Sequence, residues 1–232
     1  MKPGNNNRIY SFAMIVLLLL FETGCKQKKF GESGTVTDVN GNVYKTITIG
    51  AQTWMQENLK ATKLNDGTAL PTIILDTTWS KLNSPAYCWS QNDSITNKKT
   101  YGALYNWFAV NTGKLCPTGW HVPSDAEWTT LTDYLGGLNK AGSSLKSSTG
   151  WTGNELVKAT NSSGFTALPG SLRSVSGTFR DIGGHGFWWT STETEADMKS
   201  AWMRRLNNCS SSAYSNGYPK VCGFSVRCVK DN

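Results

Sequence analysis

Two short stretches constrain the fold more than any other part of the sequence. Gly119-Trp120-His121-Val122-Pro123-Ser124-Asp125-Ala126-Glu127-Trp128 announces a strand running into a capped helix, and Gly223-Phe224-Ser225-Val226-Arg227-Cys228 reads as a short buried strand that closes a domain. Ser124 can accept a hydrogen bond from the Glu127 amide while the Glu127 side chain reaches back to the Ser124 amide, a capping box that satisfies two helix-end donors. Asp125 adds negative charge at the positive end of the helix dipole. Trp128, Leu131 and Leu135 then share one face, and Gly136-Gly137 ends the helix.

A second helix is expected over Tyr101 to Val110, where apolar residues at 104, 105, 107, 108 and 109 suit a buried segment and Asn111-Thr112-Gly113 supplies a cap. From Val36 to Gly50 apolar and polar residues alternate on both sides of Asn40-Gly41, which predicts a hairpin on a tight type I′ turn. Trp54 to Leu59 extends that sheet, and Asn65-Asp66-Gly67 marks another turn. Beyond Gly164, the pairs Pro169-Gly170, Ser176-Gly177, Gly183-Gly184 and Asn216-Gly217 separate short apolar or aromatic runs, the pattern of short antiparallel strands. Two principal helices with short antiparallel sheets make an α+β fold.

The N-terminus supplies an address. Lys2 and Arg8 precede an apolar stretch, Ile9 to Phe21, that is shorter than the roughly 20 residues a membrane span needs. Thr23-Gly24 stands directly before Cys25, which looks like a bacterial lipoprotein signal over residues 1–24 with Cys25 acylated. Glu22 departs from that pattern, where Leu is usual; the other reading is ordinary secretion with an incidental cysteine. Residues 25–34 read as a solvated tether, leaving residues 35–232 for one domain. The expected setting is the cell envelope, as an outer-membrane lipoprotein exposed at the surface and held by its lipid. The net charge of +7 is carried by scattered basic residues, apart from Lys98-Lys99 and Arg204-Arg205, and implies a solvated surface. Nucleic acid is not an expected partner, since no recognition helix or zinc-finger spacing is present.

Apart from Cys25, the cysteines are Cys88, Cys116, Cys209, Cys222 and Cys228, an odd set in an oxidising compartment. A terminal strand beside the one that Cys116 begins would pair Cys116 with Cys228. Cys209 and Cys222 flank Tyr214-Ser215-Asn216-Gly217-Tyr218 and would pair across a long hairpin, leaving Cys88 over. No cysteine or histidine spacing suits zinc. Asp93, Asp181 and Asp197 are isolated oxygen donors without a dense acidic loop, so no metal or cofactor is assigned. His121 with Glu127 could in principle exchange protons, but the capping box already accounts for Glu127, and Ser124 lacks a base and orienter.

Ten tryptophans stand in the chain. Trp54, Trp107, Trp120 and Trp128 sit in apolar patterns and are expected in the core, whereas Trp79 and Trp151 lie in polar stretches and are candidates for exposure. Trp188 and Trp189 must point to opposite faces of a strand, so one can be core while the other faces solvent. The segment from about Gly177 to Asn216, with Arg180, Asp181, Trp188, Trp189, Arg204 and Asn208, is the expected ligand-binding region, because loops on a rigid scaffold carry function most often.

The stretches at 41–50, 52–59, 101–107, 116–128, 164–170, 187–193 and 223–229 together closely resemble the Fibrobacter succinogenes major paralogous domain, a surface lipoprotein domain of Bacteroidetes-like bacteria. A more distant likeness runs to the formylglycine-generating enzyme family through Val122-Pro123-Ser124-Asp125-Ala126-Glu127-Trp128 and Gly223-Phe224, and implies a C-type-lectin-like fold. That family's close cysteine pair has no counterpart at Ala201-Trp202-Met203-Arg204-Arg205, so catalysis is not implied with it. Anchor, lectin-like fold and candidate exposed aromatics together read as a lipid-anchored surface module that binds a glycan or a protein. The alternatives are an enzyme of the formylglycine-generating type with replaced catalytic groups, and a purely structural surface protein.

Overall fold

The structure, a computed structural model, describes residue 1 and residues 30–153, 157–196 and 198–231. The signal sequence and Cys25 lie outside the described residues. One antiparallel sheet contains, in spatial order, β1 (Phe30–Thr37), β2 (Val43–Ile49), β3 (Gln52–Met55), β12 (Val229–Lys230) and β6 (Trp120–His121). Residues 30–34, expected in the tether, are instead the start of β1 and pair with β2. The hairpin at Asn40-Gly41 forms, but not on a type I′ turn. Thr37 and Val43 are its last pair, and residues 38–42 make a wider loop around Asp38. The Asp38 carboxylate accepts from the amides of Asn40 and Asn42, each at 2.9 Å, and from the Tyr44 hydroxyl at 2.6 Å.

The second sheet has the order β11 (Tyr214–Pro219), β10 (Ser200–Asn207), β9 (His185–Glu193), β7 (Gly170–Arg173) and β8 (Phe179–Ile182). Only the β7 and β9 contact is parallel. Asn216-Gly217, expected at a turn, lies within β11. A two-stranded ribbon joins β4 (Tyr87–Trp89) to β5 (Ala103–Tyr105).

The helix expected over Tyr101 to Val110 is three elements. The helix α2 (Ser94–Tyr101), capped by Asp93, stops at Gly102 with φ 72°; β5 follows, and then the short helix α3 (Trp107–Val110). All three residues of β5 are buried, and a short run that is apolar on every side carries no period to distinguish strand from helix. Gly102 is required where it stands, because a Cβ would lie 2.7 Å from the Leu59 carbonyl oxygen and 2.9 Å from the Asn58 Cβ. The capped helix is present as α4 (Asp125–Tyr134), with both hydrogen bonds of its capping box. Past Gly136-Gly137 a further helix, α5 (Leu138–Leu145), packs on it. A single-turn helix, α1 (Asp76–Trp79), completes the set.

Residues 223–229 run through the middle of all this. Phe224 exchanges both backbone hydrogen bonds with Tyr105 of β5, at 2.8 and 3.0 Å, and Ser225 bonds to Phe187 and Trp189 of β9 at 3.1 Å each. The carbonyls of Val226 and Cys228 accept from Leu59 and Met55 at 2.8 and 3.1 Å. The segment is thus a seam between the two sheets and the ribbon. Cys228 near its end is joined to Cys116, with Cα atoms 6.0 Å apart, and the pairing of β12 with β6 holds the two segments side by side.

The core lies on both sides of β9. Trp188 joins Trp54, Trp128 and Phe165 on one side, and Trp189 joins Trp107, Tyr105 and Phe224 on the other. An indole removes about 200 Å² from water, worth about 5 kcal/mol at 25 cal/mol/Å², so these tryptophans dominate the packing. Trp79, a candidate for exposure, is fully buried, with the Arg173 guanidinium 4.5 Å from its ring centre. Trp151 is half-buried and donates to the Ala167 carbonyl at 3.1 Å.

Candidate functional site

The expected binding segment is mostly strand, and it does not gather its polar residues into one site. Arg180 and Asp181 are exposed on β8, where Asp181 lies 3.9 Å from His185. Arg204 is no ligand group: β10 lies under α4, and the buried guanidinium pairs with the Asp125 carboxylate at 2.7 Å and donates to the Asp125 carbonyl and Thr129 hydroxyl, each at 2.9 Å. Asn208 donates to the Thr152 carbonyl in the turn between β10 and β11. Trp188 and Trp189 do point to opposite faces, but both are fully buried, because β9 is an interior strand covered on both sides. Trp188 donates to the Asn58 side-chain oxygen at 2.9 Å and Trp189 to the Tyr105 carbonyl at 2.8 Å.

Cys209 and Cys222 are free thiols rather than a disulfide. The hairpin register explains this: Ser200 pairs with Pro219 and Arg205 with Tyr214, so Cys209 belongs to the turn end and Cys222 to the open end. Cys88 is also free. Burial pushes the Cys88 and Cys222 thiols up to about 12, away from the thiolate that a nucleophile needs. Asp93 is used as the cap of α2 and Asp197 lies outside the described residues; among the described residues no cluster of His, Cys, Asp or Glu is placed to hold a metal.

His121 and Glu127 do meet, with Nε2 and Oε1 2.8 Å apart, and Asp231 takes the other ring nitrogen at 2.6 Å. With a carboxylate on each nitrogen, the imidazole is a clamp between β6, α4 and the end of β12. No ring nitrogen is left to serve a substrate.

One tryptophan of the segment remains partly open, and the sequence reading passed over it. Trp202 of β10 alternates with buried Ala201 and Met203 and lies opposite Gly217 of β11, which has no side chain to cover it. The glycine is needed there, since a Cβ would come within 2.9 Å of the Thr194 methyl in the connection after β9. That connection and Trp202 enclose an open cleft of about 600 Å³, whose wall also carries Thr192, Glu193, Glu195 and Ser200. Lys220 holds the connection down by pairing with Glu193 at 3.0 Å and donating to the Met198 carbonyl at 2.7 Å. The cleft therefore offers an apolar indole surface ringed by hydroxyl and carboxylate acceptors.

An α+β domain of two five-stranded sheets sewn together by its last segment is the setting for this cleft. The chain belongs to the Fibrobacter succinogenes major domain family, whose model matches residues 47–230. No curated protein and no solved structure matches it. Among the described residues, no helix is long and apolar enough to cross a membrane.

Proposed function

We propose that the chain is a lipid-anchored binding module of the bacterial cell surface, with a C-type-lectin-like arrangement of its α+β fold, and that the Trp202 cleft takes a glycan. The observation that carries this reading is the half-open indole facing a cleft whose other polar groups are hydroxyls and carboxylates. The electron-rich face of an indole attracts the weakly positive C–H face of a sugar ring, and carboxylates and hydroxyls accept from its hydroxyl groups. Anchoring rests on the sequence around Thr23-Gly24-Cys25, and an outer-membrane location exposed to the exterior rests on the anchor. Since β1 begins at Phe30, only Lys26-Gln27-Lys28-Lys29 separates the proposed lipid from the first strand.

The test is a glycan array probed with the full chain, beside the Trp202→Ala variant. The variant is expected to lose roughly tenfold or more in affinity, as a central aromatic contact does, with its melting temperature nearly unchanged. Glycan binding that is indifferent to Trp202, or no glycan bound at all, would remove the cleft from consideration.

A further inference from the structure

A second pocket, remote in composition from the Trp202 cleft, has an unusual floor. Arg173, Arg204 and Arg227 are all buried. Arg173 has Asp76 at 3.0 Å and Arg204 has Asp125 at 2.7 Å, but Arg227 has no carboxylate partner among the described residues. Its donors go to neutral oxygens: the Phe165 carbonyl, the Asn58 side chain at 2.8 Å, and the Thr166 carbonyl at 3.4 Å. Its Nε is enclosed with no hydrogen-bond partner. Burial pushes its pKa down to about 9, against the opposing pull of the Glu57 carboxylate. Where packing alone is required, a neutral side chain serves as well as a buried charge or better.

The groups around the guanidinium are held firmly. Asn58 is saturated: its amide donates to the Tyr101 carbonyl at 2.9 Å and the Ser225 hydroxyl at 3.2 Å, while its oxygen accepts from Trp188 and Arg227. Thr166 has φ 56°, a left-handed backbone that a β-branched residue seldom adopts. It is fixed there by two hydrogen bonds with the Asn161 side chain, at 2.8 and 3.1 Å. Such strain clusters at ligand sites. Arg227, Asn58 and Thr166 line a pocket of about 460 Å³ together with Lys99 near the end of α2 and Glu57. Glu57 pairs with Lys60 at 3.2 Å and makes no ion-pair contact with Arg227, although its charge is felt there, so Arg227 and Lys99 are only partly compensated.

We propose that this pocket binds a small carboxylate of sugar-acid size. The volume suits a single small molecule, and the guanidinium keeps donor capacity beyond its bonds to Phe165, Asn58 and Thr166 that a carboxylate oxygen can take up. The nearby Glu57 disfavours a dianion such as phosphate. The site shares no residue with the Trp202 cleft, so either can fail alone.

The Trp188 indole N–H reports on the pocket, because it shares the Asn58 oxygen with Arg227. Its ¹⁵N–¹H resonance, assigned through Trp188→Phe, would be followed in the full chain during titration with glucuronate, glucose, acetate and inorganic phosphate at matched ionic strength. Glucuronate is expected to shift it saturably, acetate more weakly, and glucose not at all. Lys99→Gln, at an exposed position, should weaken glucuronate about threefold. Arg227→Lys should weaken it about tenfold or more by removing the guanidinium N–H donors, and if that variant does not fold, Lys99→Gln still decides. No saturable shift, an equal response to glucose, tighter binding of phosphate, or indifference to Lys99 would each overturn the proposal.

Discussion

His121 shows how a single residue couples distant parts of the chain and gives them a pH dependence. Burial opposes its protonation, but the Asp231 and Glu127 carboxylates outweigh that, and its pKa is raised. A raised folded pKa contributes stability that is complete below the unfolded value of about 6.5 and disappears as pH rises through the folded value. Glu127 behaves in the opposite sense. Burial raises its pKa, but bonds from Ser124 and His121 prevail and hold it below its ordinary value, so its share is lost only as acid reaches that depressed pKa. The gap in urea-unfolding stability between the native chain and His121→Gln is therefore expected to be widest near pH 6 and to close toward alkaline pH. Glu127→Gln keeps the capping box and should lose part of that pH dependence, with Asp231 holding the remainder. A gap constant from pH 6 to 9.5 would show that the clamp carries no charge. The capping half of this arrangement was legible from the chain, because Ser124 and Glu127 are three residues apart. The Asp231 half was not, since its sequence separation from His121 is 110. Trp188 and Trp189 illustrate the same limit: alternation places them on opposite faces, but only the neighbours of β9 decide that both faces are covered. Arg227 likewise finds its partners at 58, 165 and 166, and no local pattern around it announces a pocket.

Among the elements, those specified by neighbouring residues were readable, and those specified by distant contacts were not. The capped α4 and the hairpin of β1 with β2 belong to the first kind. The stretch at 101–110 belongs to the second, because β5 is a strand on account of its pairing with β4 and with Phe224. The two cysteine pairings divide in the same way. Cys116 with Cys228 follows from laying a terminal strand beside β6, whereas Cys209 with Cys222 needed a register that β10 and β11 do not adopt. The disulfide that does form spans a separation of 112 residues, and closing a loop of that size is worth about 4 to 5 kcal/mol in the chain-entropy model. Cys116→Ser is expected to lower unfolding stability by that amount in urea, and a reducing agent should bring the native chain to the same midpoint. Equal midpoints with and without reductant in the native chain would count against it.

At the scale of the whole molecule, the seam at residues 223–229 dominates. It supplies hydrogen bonds to β3, β5 and β9 together, and its Phe224 sits 4.3 Å from the Trp189 ring centre and 5.3 Å from that of Phe187. A chain ending at residue 222 is expected to lose dispersed indole resonances and to be digested by protease throughout, rather than trimmed at one end. A protected fragment containing the first sheet would contradict that expectation. Asn58 and Arg227 stand 169 residues apart in sequence, so the contacts that close the two cores are among the most non-local in the chain. Non-local pairing must meet its loop-closure entropy before it gains any contact energy, and this makes folding slow. Synthesis then sets the clock. Until residue 229 has left the ribosome, neither tryptophan cluster can shut, and the nascent domain remains pliable until its closing segment locks both in one event.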